Sequence, residues 1–340
     1  MIFSKNTKML IAVLALVLGL ILRVFWQPIV SWFSPAIGQK QKITLAVTKY
    51  PGSGLLYLAL EKGYFAREGF DVSLQPHSSG RDALSATQSG QADLGTVADL
   101  PIVYESMKGQ QVSVVATIFN ARQSYGVIAR RDRLIHRFSD LKGKKIGVTL
   151  RTDGHYVFST MLARHHISLD QVQIENVVPE KMMDALLRGE VDAVSTWEPW
   201  LKDFSRALDK NGIEFRTIGD FVLNYNLAGR SEWIANNQNI VQGLLRAIIK
   251  AKDDVDENPQ EAFTLIARLM NIERSVFDTV GPNYRYVVHL DQNLLFMMKD
   301  QARWAIENKF SDAAMTPDFL KSIDARALIA VHPDAVKLVK

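Results

Sequence analysis

A chain of 340 residues exceeds the roughly 100–200 residues of a typical domain, so two globular units are expected. With 47% hydrophobic and 22% charged residues it has an ordinary globular composition and enough apolar material for a sizeable core. The net charge of +4 comes from 40 basic and 36 acidic side chains without a long basic run, which argues against a nucleic-acid partner, and the absence of cysteine excludes disulfides, iron–sulfur clusters, thiol nucleophiles, cysteine-ligated zinc and a lipid-modified cysteine.

The first 40 residues read as a signal or membrane-anchor segment. Lys5 and Lys8 precede an uncharged run from Met9 to Leu22, and this positive flank holds the start of the chain in the cytoplasm. Two readings compete. Ser34-Pro35-Ala36 offers small residues for cleavage after Ala36; alternatively the stretch from Met9 to about Phe33 is retained as an inner-membrane anchor, with Trp26 and Trp32 at the interface. The distance from the apolar run to Ala36 favours the anchor. In either case the remainder is exported, to the periplasm.

After Gln39, strands and helices alternate. Lys42–Lys49 reads as a strand, Ser53–Lys62 as a helix stopped by Gly63, Phe70–Gln75 as a strand and Gly80–Ser89 as a helix. Ala92–Val97 is a short buried strand, Pro101–Lys108 a helix, and Val112–Phe119 and Tyr125–Arg130 strands. A second series follows: strand Lys145–Leu150, helix Gly154–Arg164, strand Val172–Val178, helix Glu180–Arg188, strand Val191–Trp197 and helix Pro199–Asp209. From about Asn236 the pattern turns mostly helical, with apolar stripes at Ile240–Ala251 and Leu294–Ile306. Such βαβα order predicts α/β units, each a mainly parallel sheet with helices on both faces.

The two series share one layout. A helix ends at Gly90, Asp93 opens a strand, and Asp99-Leu100-Pro101 follows; a helix ends at Gly189, Asp192 opens a strand, and Trp197-Glu198-Pro199 follows. Proline suits the first turn of a helix, where the N–H has no partner anyway. Two similar lobes are therefore expected, 42–128 with 229–340 forming one and 129–228 the other. Two chain crossings between them would make a hinge.

Four stretches carry a family resemblance: Gly54–Phe65 followed by Glu68–Val72, Ser79–Pro101, Leu141–Val148, and Gly189–Trp200 (GEVDAVSTWEPW). Over roughly residues 42–270 the chain resembles the substrate-binding proteins of nitrate, sulfonate and taurine importers and the related thiamine-pyrimidine-precursor binders. The resemblance implies a two-lobe periplasmic binding protein of the second structural type. It also implies a small polar ligand (a sulfonate, an amine-bearing or a pyrimidine-like molecule) handed to an ABC permease, or sensed by a membrane partner. Eukaryotic thiamine-pyrimidine synthases share this fold but carry a cysteine-rich motif, so the cysteine-free chain is read as a binding protein, not an enzyme, with no cofactor.

In open α/β sheets ligands gather beyond the C-terminal ends of strands, where helix N-termini offer free N–H groups. The candidates are therefore Tyr50, Ser53, Ser79, Asp99 and Asn120 after strands of the first series, and Thr152, Asp153, His155, Trp197 and Glu198 after strands of the second. Each has a plain alternative. Ser53 and Asp99 suit helix caps, and Trp197 and Glu198 suit a core position and a helix start. By the resemblance, Trp197 supplies an aromatic wall. Asp153 departs from the family, because a carboxylate at a helix start competes with a bound anion for the same N–H groups; it favours a ligand with an amine, a ring nitrogen or several hydroxyls. His165-His166 reads as basic residues at a helix C-terminus, not a metal pair, since adjacent helical residues diverge.

Overall fold

The structure is a computed structural model that describes residues 40–217 and 222–339. Twelve strands run in chain order as β1 (Gln41–Thr48), β2 (Phe70–His77), β3 (Leu94–Ala98), β4 (Val112–Ala121), β5 (Tyr125–Arg130), β6 (Lys145–Val148), β7 (Gln173–Asn176), β8 (Ala193–Trp197), β9 (Gly212–Arg216), β10 (Leu223–Arg230), β11 (Tyr284–Asp291) and β12 (Val336–Lys337). The helices of eight or more residues are α1 (Gly54–Glu61), α2 (Gly80–Gln88), α3 (Asp99–Met107), α4 (Asp153–Arg164), α5 (Pro179–Arg188), α6 (Trp200–Leu208), α7 (Gln238–Glu257), α8 (Pro259–Met270) and α9 (Gln292–Glu307).

The strands form two sheets. A seven-stranded sheet has the order β12-β11-β4-β10-β3-β1-β2, and a five-stranded sheet the order β7-β6-β8-β5-β9. The chain leaves the first sheet between Ala121 and Tyr125 and returns between Arg216 and Leu223, so the boundaries expected at 128/129 and 228/229 fall inside β5 and β10. The sheets are mixed. The alternating βα order yields the parallel pairs β1/β3, β6/β7 and β6/β8, as expected. The strands flanking the crossings run antiparallel: β5 pairs with β8 and β9, and β10 lies between β3 and β4.

The repeated Gly-x-x-Asp layout has a physical cause. Gly90 and Gly189 end α2 and α5 with φ of 79° and 74°, a left-handed conformation that glycine adopts without steric penalty. Three residues on, Asp93 accepts a hydrogen bond from the Thr44 N–H at 2.8 Å and donates its own N–H to the Thr44 carbonyl at 2.9 Å. Asp192 does the same to Lys145, at 2.9 and 2.8 Å. Each aspartate thereby ties the start of β3 or β8 to its parallel neighbour and fixes their register.

Strands β3 and β8 are buried along their whole length, as expected when helices cover both faces. The tail after Asn236 is helical but also supplies β11, which pairs with β4. Helix α7 turns Val241, Leu244, Leu245, Ile248, Ala251 and Val255 into the core, the three-to-four spacing of a one-sided helix. Burying each larger side chain there contributes about 1.5–3 kcal/mol. Among the described residues no helix is long and apolar enough to cross a membrane. The expected segment from Met9 to Phe33 lies outside the described residues.

Candidate functional site

The C-terminal ends of strands from both sheets meet around one cavity of about 560 Å³. The first sheet contributes Thr48-Lys49-Tyr50 after β1, Pro76 to Asp82 around the end of β2, Ala98 and Pro101 after β3, and Tyr225 from β10. From the second come Tyr125 on β5, Thr152 and Asp153 after β6, Glu180 after β7, and Trp197, Pro199 and Trp200 after β8. This is where an α/β sheet collects ligand contacts.

Aromatic rings form much of the wall. Tyr50 and Tyr225 meet edge to face at 5.1 Å, and Tyr125 lies 6.1 Å from Trp197, its direct cross-strand neighbour. Gly154 makes room for this arrangement: a Cβ there would stand 3.2 Å from the Trp197 ring. Burial pushes the Tyr225 hydroxyl up to about 12, and Tyr50 well above the ordinary tyrosine range, so both stay protonated donors. The Tyr225 hydroxyl is 2.6 Å from Thr48 Oγ1, and the Tyr50 hydroxyl donates to Ser124 at 3.1 Å.

Helices α2 and α4 both begin at the cavity. Ser79 caps α2 by accepting the Asp82 N–H at 3.2 Å, while other first-turn N–H groups have no partner within the helix. Gly80 lets this turn approach β3, since a Cβ would stand 3.1 Å from the Val97 Cα. Thr152 precedes α4, but its hydroxyl donates to the Thr149 carbonyl at 2.7 Å and caps nothing. Around the cavity Arg81 is committed to Asp82 at 3.4 Å and to the Leu150 carbonyl at 2.9 Å. At the mouth, Lys49 from the first sheet and Glu180 from the second are exposed and pair with no other described residue. Burial holds the His77 imidazole below its ordinary value, so it is neutral at pH 7.

Of the ten expected residues, the cavity is lined by Tyr50, Ser79, Thr152, Asp153 and Trp197. The other five serve the fold behind it. Ser53 is fully buried in a hydroxyl cluster, 2.9 Å from Thr96 Oγ1 and 3.3 Å from Thr48 Oγ1. Asp99 caps no helix with its side chain; its carboxylate accepts from Asn224 at 2.9 Å and Asn226 at 2.8 Å. Asn120 points along the sheet, donating to Asn224 at 2.9 Å. His155, 1% exposed, packs 5.0 Å from Trp304 and 4.6 Å from Phe310, and burial drives it down to about 4. Glu198, also 1% exposed, pairs with Arg216 at 2.7 Å. In each case the side chain turns inward to a partner, supplied by β1 and β3 for Ser53, β10 for Asp99 and Asn120, α9 and Phe310 for His155, and β9 for Glu198.

Asp153 lines the cavity yet spends its carboxylate on the protein. One oxygen accepts the Leu100 N–H at 3.2 Å, in the first turn of α3, and the other accepts the Gln301 amide at 2.9 Å. It thus caps a helix across the cleft, from the second sheet to the first. Desolvation raises its carboxyl to about 7, and Asp99 nearby is raised by burial and by the Asp153 charge. Residues outside the candidate set complete the wall: Tyr225 sits on β10, a strand absent from the sequence-based expectation, and Arg81 and Asp82 lie in the first turn of α2.

The model of the family described as "NMT1/THI5 like" matches residues 51–262. The chain belongs to this family. Among relatives of this NMT1/THI5-like chain, a binding protein of Brucella abortus is 24% identical over 259 residues, 74% of this chain and 79% of that one. The taurine-binding periplasmic protein of Escherichia coli is 23% identical over 247 residues, 69% of this chain and 75% of its own length. Among solved structures, the alkanesulfonate-binding protein of Xanthomonas axonopodis pv. citri, bound to MOPS, superposes with a TM-score of 0.73 at 15% identity, covering 85% of this chain and 99% of that one. The fold of the NMT1/THI5-like chain is thus that of a periplasmic binding protein, two sheets with helices on both faces.

Proposed function

We propose that this chain is an extracytoplasmic solute-binding protein that captures a small polar organic molecule between its two sheets and delivers it to an ABC importer. The observation that carries this reading is the cavity of about 560 Å³ walled from both sheets at their strand ends. Its 560 Å³ suits a metabolite-sized ligand, since such pockets span roughly 300–1,000 Å³. The relatives named above are binding proteins, which favours capture over chemistry. The lobes would be the two sheets with their helices, hinged where the chain crosses from one to the other. Tyr50, Ser79, Thr152, Asp153 and Trp197 would contact the ligand. The unpaired Lys49 and Glu180, one on each side of the mouth, favour a molecule carrying both an acidic group and an N–H donor. The N-terminal segment would hold the protein at the periplasmic face of the inner membrane.

Taurine and MOPS are suitable probes, as both combine a sulfonate with an amine. Calorimetry should detect one-site binding of at least one of them, and small-angle scattering should show compaction on binding. Mass spectrometry of the molecule carried through purification would identify the native ligand. A protein that carries no small molecule, binds neither probe and never compacts would refute solute capture. A periplasm-dependent reporter fused after Gln39 should be active, and a silent one would refute export.

A further inference from the structure

We propose that a second, smaller chamber beside the main cavity binds a small oxyanion, a carboxylate or phosphate, held by Gln88, Tyr104 and Arg151. The chamber measures about 230 Å³ and lies between α2 and α3, with Arg151 closing it from the segment after β6. Arg81, Asp82 and Pro101 line both spaces, so the Arg81–Asp82 pair is the partition between them.

Two buried polar groups at this chamber lack partners among the described residues. Tyr104 is only 4% exposed, and its hydroxyl is buried without a hydrogen bond. The Gln88 amide nitrogen is buried and unbonded in the same way. Leaving one such group unsatisfied costs about 1–3 kcal/mol, so two lining one small space call for an acceptor between them. Burial pushes the Tyr104 hydroxyl up to about 12, which keeps it a donor. The third group supplies charge. The Arg151 guanidinium lies 5.9 Å from the centre of the Tyr104 ring and pairs with no carboxylate among the described residues. Its backbone is left-handed, with φ of 60°, a conformation uncommon for a side chain of this size. The other cations are already committed, Lys108 to Glu105 at 2.6 Å and Arg81 to Asp82. Arg151 is therefore the uncompensated charge at a chamber with two free donors, the combination that recognises an oxyanion through charge-assisted hydrogen bonds.

Arg151 follows β6 of the second sheet, whereas Gln88 and Tyr104 belong to helices of the first, so an anion here touches both sides of the cleft. Its binding should favour closure, a consequence that rests on the solute-capture reading; the site itself does not. The bound group is either a free anion or the acidic end of a molecule reaching in from the main cavity.

The test is calorimetry on the full-length chain in detergent, with malonate and inorganic phosphate as probes. One anion per chain should bind. Tyr104→Phe and Gln88→Leu should each weaken it roughly fivefold, and Arg151→Ala more than about tenfold, the usual loss for a charged contact. Trp197→Phe, in the main cavity, should leave anion binding unchanged. Titrating MOPS with malonate present then separates the sources: tighter MOPS binding supports a separate anion, and competition that disappears in Arg151→Ala supports the end of a longer ligand. No binding of either anion at millimolar concentration, or binding indifferent to all three substitutions, would overturn the proposal. MOPS or taurine binding without anion binding overturns the chamber alone. Anion binding without any solute in the main cavity refutes solute capture and leaves the chamber standing.

Discussion

Replacing Asp153 with Asn should stabilise the protein above neutral pH and leave it unchanged near pH 4. The carboxylate is buried, and desolvation lifts it from 3.8 to about 7. A displacement of that size corresponds to roughly 4 kcal/mol between the charged and neutral forms. The sign follows from proton binding. Below pH 4 the carboxyl is protonated in both the folded and unfolded chains and has no effect. Between about pH 4 and 7 the unfolded chain releases the proton while the folded chain keeps it, so stability falls with rising pH and levels off above 7. Asparagine removes this penalty and keeps the hydrogen bonds. Its oxygen accepts the Leu100 N–H, and its amide faces Gln301, whose own oxygen is buried without a partner and becomes the acceptor when the amide turns over. Because Asp99 shares the same proton balance, the measurable gain is smaller than the full figure, growing from pH 5 to a plateau of about 2–3 kcal/mol above pH 7. Urea denaturation of both proteins at pH 5, 6.5 and 8 measures it as a difference, which cancels the titration of all other groups. A variant that is less stable than the parent by the same amount at every pH would refute the reasoning. Taurine or MOPS affinity tests the ligand side. With both carboxylate oxygens committed to protein donors, the Asn variant should bind at least as tightly, and a tenfold loss would show that Asp153 pairs with the ligand's amine.

Three further outcomes follow from the inward-turned residues. Asp99→Asn should destabilise by about 1–3 kcal/mol, unlike Asp153→Asn, because Asn224 and Asn226 both present amide donors to it while their oxygens are held by Asn120 and Thr117; equilibrium denaturation checks this. His155→Phe should be neutral at pH 7 and stabilising at pH 5. Both ring nitrogens are buried without partners, and a histidine held at about 4 loses stability as pH falls through the unfolded value of 6.5; an equal effect at both pH values would contradict this. Glu198→Ala should cost about 1–3 kcal/mol by stranding Arg216, which is 27% exposed and still pairs with Glu214, and should change MOPS affinity less than Trp197→Ala does.

The parts of the fold that were legible are those where backbone geometry demands a residue type. Gly90 and Gly189 mark helix ends because only glycine enters the left-handed region freely, and Asp93 and Asp192 repeat because each must accept a strand N–H. Strands β9, β10 and β11 escaped for a different reason. Their pairing with β5, β3 and β4 is antiparallel and long-range, and β10 carries Asn224, Tyr225 and Asn226, polar residues that a local pattern assigns to a connection. Those polar residues are buried because Asp99 and Thr117 satisfy them, a fact no window of sequence contains. The same limit governs the site. Position at a strand end was readable for all ten candidates, but whether a side chain faced the cavity depended on partners from distant strands and helices. Asp99 and Glu198 were turned away by Asn226 and Arg216, whereas Tyr50 and Trp197 stayed in the wall.

Four hydrogen bonds cross the cleft on one side, and they bear on how capture works. Arg81 donates to the Leu150 carbonyl at 2.9 Å, Asp153 accepts the Leu100 N–H at 3.2 Å and the Gln301 amide at 2.9 Å, and Tyr156 donates to Asp300 at 2.5 Å. All four join residues 150–156 to helices of the first sheet. Each contributes about 0.5–3 kcal/mol, the upper end where a charge takes part. A hinge rotation would break them together, so the closed arrangement has polar support of its own before any ligand enters. Ligand binding then needs to supply only the remainder, and the apparent affinity is the intrinsic one scaled by the closed fraction. Tyr156→Phe removes the Asp300 bond while keeping the ring 5.3 Å from Trp304. Scattering of the unliganded variant should show a larger radius of gyration than the parent, and MOPS affinity should fall by roughly threefold to tenfold. An unliganded variant as compact as the parent, binding MOPS equally well, would show that these bonds do not hold the cleft shut.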